Sequence, residues 1–286
     1  MAVYKRGYEP YEGPLTPEWS RFLIIARHAF RRVFESRFLI GFFVVCAIWP
    51  LVSAGLIYLP YNAAVAALLK GEKLFPIDGE FFVKFLLWQG STMALLLTGF
   101  LGPGLVAPDL ANNGLPLYFC RPFSRTEYVI GKMSVLAILL SAITWVPGLL
   151  LFGFKGYLAG PGWAADNWWM ATGIFLGSWA WIAILCFLAL AMSAWVKWRI
   201  AAGALIFAIV FVAAGFGQAI NHSLDTKIGH VVNLLSIIET IWRSLFRSTA
   251  SPKLPVPAAW ALLIAFCGMC YFLLAKKLRA YHVERS

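Results

Sequence analysis

Six long apolar runs decide what this chain can become. They fall at about 38–59, 81–105, 129–152, 168–194, 200–217 and 258–275, and their middle thirds carry almost no ionisable side chains. At 1.5 Å per residue, about 20 helical residues cross the roughly 30 Å hydrocarbon core of a bilayer. The chain is 61% hydrophobic and 13% charged, against about 45–50% and about 25% in soluble domains. These runs predict an all-α membrane protein with six transmembrane helices. Trp and Tyr gather at the ends of the runs, where amphipathic rings favour the lipid interface.

The segments between the runs are uneven. Residues 1–37 form an N-terminal segment whose first part is broken by Gly7, Pro10, Gly13 and Pro14. Thr16, Pro17 and Glu18 then read as a helix start: a cap, a proline at the first helical position and an acid in the first turn. Phe22, Ala26, Ala29, Phe30 and Val33 recur at steps of three and four, with Arg21, Arg27, His28, Arg31 and Arg32 largely off that stripe. A basic amphipathic helix leading into a span lies in the membrane interface. Residues 38–275 form the six-span domain. Within it, residues 228–247 are too polar to span but carry a helical stripe, with Glu239 and Arg243 four apart. They are expected to form a short external element, interfacial or re-entrant, before the last span. Residues 276–286 are a basic tail.

Smaller motifs carry less. Gly173 and Gly177 form a GxxxG that lets helices approach closely. Cys267 and Cys270 lie one helical turn apart in an apolar run and read as packing residues rather than a redox pair. The N-terminus lacks the apolar core of a cleavable signal.

Orientation follows from cations near the span ends. Sixteen Lys and Arg fall on the side of the termini and eight on the other, which puts both termini in the cytoplasm. The formal net charge of +11 therefore reflects the positive-inside pattern and membrane lipid as a partner, with no nucleic acid.

No catalytic engine is legible. A phosphate-binding loop ends Gly-Lys-Ser/Thr. Around Gly131 and Lys132, Thr126 stands where the first Gly is needed and Met133 where the hydroxyl is needed. No HExxH or GxSxG occurs. Without mid-membrane charges, the ion-binding groups of a secondary transporter are missing. The chain reads as a non-catalytic subunit driven from outside.

The polar stretch at 107–128, between the second and third runs, is where such a drive would enter. Asp109 to Gly114 read as a capped helical turn ending in glycine. Leu115, Pro116, Leu117 and Tyr118 then expose apolar bulk, rimmed by Arg121 and Arg125. That composition suits a docking patch. Ser124 and Glu127 suit a capping box opening the third span, and Lys132 is placed to snorkel back to the same interface.

The run Asp109-Leu110, Gly114-Leu115-Pro116-Leu117-Tyr118, Arg121-Pro122, Ser124-Arg125-Thr126-Glu127-Tyr128 and Gly131-Lys132 resembles the cytoplasmic signature of permeases of the type-two ABC (ATP-binding cassette) transporter family. Asn112 and Cys120 depart from it, where such permeases often have a basic and a small hydroxyl residue. The six-span layout is also similar. The resemblance implies a bacterial inner-membrane permease, usually of an exporter, with a coupling helix at about 107–120 seated on a separate ABC ATPase subunit. Asp109, Leu110, Gly114, Leu115, Pro116, Leu117, Tyr118, Arg121, Pro122, Arg125, Glu127 and Lys132 would make that coupling. It further implies a second permease subunit, identical or related. ATP and Mg would be bound by the partner ATPase, with no cofactor in this chain. An alternative is an ABC-type membrane subunit that transmits force to a membrane or periplasmic partner without moving a substrate, using residues 229–247 as the partner surface.

Overall fold

The computed structural model describes residues 21–62, 77–112, 125–196, 198–248 and 252–283. The chain is an all-α membrane protein with six helical stretches long and apolar enough to cross a bilayer: Arg37–Tyr61, Gly79–Asp109, Thr126–Ala159, Trp168–Trp195, Arg199–Leu224 and Val256–Lys277. The Thr16–Glu18 helix start lies outside the described residues. The amphipathic helix that follows is present as α1, Arg21–Glu35, and it packs along the start of the third span. The first span is α2, Arg37–Tyr58, closed by a 3-10 turn.

The second span begins at α3, Gly79–Leu86. Asp78 caps it by accepting the amides of Glu80 at 3.0 Å and Phe81 at 3.3 Å. A π-helical stretch, Leu87–Ala94, interrupts it before α4, Leu95–Leu101. The wider turn brings Gln89 fully inside, where its Nε2 donates to the Cys46 carbonyl at 2.9 Å. It also leaves the Gly90 carbonyl to accept from Trp181 Nε1 at 2.8 Å. Insertions of this kind re-aim side chains and redistribute backbone bonds. The span then bends at Gly102 and continues as α5, Pro103–Ala111.

The third span is broken in two, α6 Arg125–Ile143 and α7 Trp145–Ala159. Pro147 explains the break, because its ring clashes with the carbonyl of residue 143 and removes one amide donor. At the break, the Leu140 carbonyl accepts from both the Thr144 amide at 3.0 Å and its Oγ1 at 2.7 Å. The short α8, Trp163–Asp166, leads into the fourth span, α9, Trp168–Trp195.

Burial sorts the spans into a centre and a rim. The fourth and second are 72% and 67% buried over their most apolar stretch, whereas the first, fifth and sixth are 17%, 28% and 22% buried. The rim helices therefore offer long apolar faces to lipid. Close backbone approach holds the centre together: a Cβ on Gly203 of the fifth span would lie 2.7 Å from the Gly99 carbonyl oxygen, and one on Gly102 would lie 2.7 Å from Ala189 Cβ.

The fifth span, α10, Arg199–Leu224, runs seven residues past Gly217, where the sequence places its end. One polar residue there, Asn221, is half-buried and turned toward protein. Asn221 Oδ1 accepts the Gly229 amide at 2.7 Å, and Gly217 and Gly229 meet backbone to backbone. Asp225, in the left-handed conformation at φ 46°, stops it. A 3-10 turn, Ile228–Val231, then leads to α11, Leu234–Leu245, capped by Asn233. This is the short element expected before the last span. It is buried among the second, fourth and sixth spans, with Trp242 fully inside. The GxxxG of the fourth span serves it: a Cβ on Gly177 would lie 2.6 Å from Trp242 Cδ1, and one on Gly173 would lie 3.4 Å from Phe246. The last span is α12, Val256–Val283.

Candidate functional site

The connection between the second and third spans is anchored by three side chains. Asp109, near the end of α5, places Oδ2 2.8 Å from Lys132 Nζ, and Tyr128 Oη donates to the same oxygen at 2.7 Å. Tyr128 and Lys132 are four apart on α6, so they share one helix face. The ammonium lies 5.5 Å from the Tyr128 ring centre. Tyr128 is 1% exposed and Lys132 8%. A buried ammonium needs a carboxylate partner. Lys132, expected to snorkel outward, turns instead to Asp109. Asp109 correspondingly faces the bundle, and the helix continues through it to Ala111 rather than starting there.

A second anchor comes from a residue that the sequence did not single out. Ser193, fully buried at the end of α9, accepts the amides of Val106 at 3.2 Å and Ala107 at 2.8 Å. It donates to the Pro103 carbonyl at 3.1 Å. The bend at Gly102-Pro103 opens the helical ladder here, and one hydroxyl closes it from another span. The only sequence signal was the Gly-Pro-Gly run, which marks a bend but names no partner. Arg199, the first residue of α10, donates from Nη2 to the Phe100 carbonyl at 3.3 Å. The end of the second span is thus gripped by the third, fourth and fifth.

The expected coupling residues divide accordingly. Asp109 and Lys132 are brought together. Leu110 lies in α5 beside Asp109, Arg125 opens α6, and Glu127 is in its first turn. Gly114, Leu115, Pro116, Leu117, Tyr118, Arg121 and Pro122 lie outside the described residues, as does Ser124. The described ends of the connection are tied into the bundle through Asp109, Tyr128, Lys132 and Ser193.

In comparison with known proteins, the chain matches no family model and no curated sequence. The fold and site define a class: a multi-pass, all-α membrane protein whose second and third spans are tied together through Asp109, Tyr128 and Lys132.

Proposed function

We propose that this chain is the permease subunit of an ATP-driven ABC transporter of the type-two family, an exporter, with residues 107–128 as its coupling segment. The observation that carries the reading is the run from Asp109 to Lys132, whose resemblance to the family signature falls on the one polar connection that the Asp109–Tyr128–Lys132 cluster ties into the bundle. Leu115, Leu117 and Tyr118 would supply apolar contact to the ATPase, and Arg121 and Arg125 its charged rim. Nucleotide held by that separate ATPase would favour one of two arrangements of the paired bundles, and only a difference in affinity between them can drive a shift. The substrate path would lie between facing first, second and fifth spans of two permease subunits. The chain would sit in a bacterial inner membrane with both termini cytoplasmic, as the sixteen-to-eight distribution of cations supports.

A second reading, force transmission to an external partner, is favoured by one patch. Leu224, Ile228 and Val232 are 65%, 66% and 46% exposed at the far end of the bundle. The helix behind them turns its apolar face inward, so the turn at 224–232 would be the partner surface.

Co-purification tests the main reading. Tagged protein expressed with its neighbouring genes should bring down a nucleotide-hydrolysing chain in mild detergent. A Leu117→Asp, Arg121→Glu double variant should lose it while keeping its own thermal midpoint. Absence of any ATPase from the wild-type complex under all conditions would overturn the reading.

A further inference from the structure

A cavity of about 1190 Å³ opens where α1, the starts of the first, third and fifth spans, and the end of the second span meet. Ordinary small-molecule pockets hold about 300–1,000 Å³, so this one suits a longer occupant. Its walls are divided. His28, Lys132 and Arg199 lie toward the span ends, whereas Phe38, Phe100 and Phe207 line its apolar part. Phe207 is eight residues into its helix from Arg199, about 12 Å deeper at 1.5 Å per residue. Along this wall of the fifth span, the Arg199 guanidinium therefore stands at the span end and the Phe207 ring about two turns further in.

The charge of the wall is unbalanced. Lys132 is already paired with Asp109. Arg199 has the Phe100 carbonyl as its partner and no carboxylate among the described residues. No Asp or Glu appears among the described residues that line the cavity. The apolar wall is pre-formed, since Phe100 packs edge-on against Phe38 at 5.3 Å and Phe207 at 6.4 Å. The mouth is flanked by exposed apolar residues: Phe38 is 61% exposed and Ile200 88% exposed.

We propose that this cavity binds an anionic phospholipid from the leaflet on the α1 side, with its phosphate on Arg199 and one acyl chain along Phe100 and Phe207. Basic pockets between spans at this depth recognise anionic headgroups, and a guanidinium offers a phosphate two parallel donors. The proposal does not rest on the permease reading: it concerns a lipid held within one copy of the chain, whatever docks on residues 113–124.

The test uses purified full-length protein in phosphatidylcholine vesicles containing a phosphatidylglycerol with a photoreactive acyl chain. Labelling should fall on peptides covering 99–108 and 199–207. Unlabelled phosphatidylglycerol should compete at least about tenfold better than phosphatidylcholine, the factor that about 1.4 kcal/mol supplies. Arg199→Gln and Ala204→Trp should each cut the labelling about as much, the first by removing the charge and the second by filling the cavity. Lys84→Gln, a cation at the opposite end of the second span, should label as wild type. Circular dichroism and thermal midpoints identify any variant that fails to fold, and the competition arm on wild type needs no variant. Equal competition by phosphatidylcholine, labelling elsewhere, or displacement by soluble glycerol phosphate alone would each overturn the proposal.

Discussion

Arg243 places Nη1 3.2 Å from Glu80 Oε1, joining two residues 163 positions apart in the chain. Its Nε also donates to Glu239 at 2.9 Å, and Ser248 Oγ donates to Glu80 Oε2 at 2.6 Å. One guanidinium therefore pins the helix α11 to the start of the second span. Arg243 and Glu239 side chains are only 18% and 15% exposed. Removing Arg243 would leave Glu80 with only the Ser248 hydroxyl and Glu239 with only Lys253, at 2.7 Å, as side-chain partners among the described residues.

Arg243→Met should accordingly lower the stability of the bundle by about 1–3 kcal/mol, between the values for exposed pairs and for fully buried ones, because Glu80 is partly solvated and Glu239 keeps Lys253. Tryptophan fluorescence on heating reads it directly, since Trp242 is the neighbouring residue. A midpoint within about 1 °C of wild type, against the several degrees that 1–3 kcal/mol implies, would show that the pairs contribute nothing net.

The Asp109–Lys132 pair makes a sharper prediction because the ammonium is buried and Asp109 is its carboxylate partner. Lys132→Met should destabilise more than the double variant Asp109→Asn, Lys132→Met, since the single change strands a carboxylate. The coupling from the double-mutant cycle should be about 1–3 kcal/mol. Additive effects would mean that the two groups do not sense each other. The same cycle bears on the permease reading: if ATPase coupling follows the pair rather than Asp109 alone, Asp109 acts by holding the connection rather than by touching the partner.

Trp242 occupies a slot whose floor is Gly177 and whose wall is Gly90, where a Cβ would come within 3.0 Å of the indole. Gly177→Leu should expel the ring and cost about 1–3 kcal/mol through overpacking. Adding Trp242→Ala should recover part of that loss. If the double variant is no better than Gly177→Leu alone, the slot is not the reason for the glycine.

The contrast between these sites shows what the sequence could carry. Six spans, the amphipathic α1 and the helix around Glu239 and Arg243 were legible because hydropathy and three-to-four periodicity are local signals. The i,i+4 pair of Glu239 with Arg243 was readable for the same reason, but its third member, Glu80, was not. Likewise Tyr128 and Lys132 share a helix face by spacing alone, whereas the inward turn of Lys132 depends on where Asp109 arrives from another helix. The end of the fifth span was misplaced because Asn221 looks like a loop residue until Gly229 supplies a partner. The fourth span's GxxxG pointed to close packing, but only the fold shows that Trp242 of α11 fills it. Ser193 had no local signal: its role arises from a bend 90 residues away.

The pairs around α11 also make stability depend on pH in a defined direction. Burial alone would raise the Glu239 carboxyl above its ordinary 4.5, but hydrogen bonds from Lys253 and Arg243 outweigh it and hold the group below that value. His230 is lowered from 6.5 by burial and by the charges of Lys253 and Lys227, against the opposing pull of Glu239. In both cases the folded state binds a proton less readily than the unfolded chain. The stabilisation is therefore complete above the unfolded values and is lost as pH falls through the folded ones. Acidification from pH 7 should first lower the thermal midpoint through His230 below about pH 6.5, its unperturbed value. A second decline, below about pH 4.5, should follow as Glu239 protonates. His230→Gln should flatten the first phase and leave the second, and Glu239→Gln should do the reverse while starting from a lower midpoint. His230 Nδ1 lies 3.2 Å from Ser236 Oγ, so Gln keeps a hydrogen-bonding group at that place and isolates the titration. A midpoint that rises on acidification, or a first phase that persists in His230→Gln, would show that neither residue governs this end of the bundle.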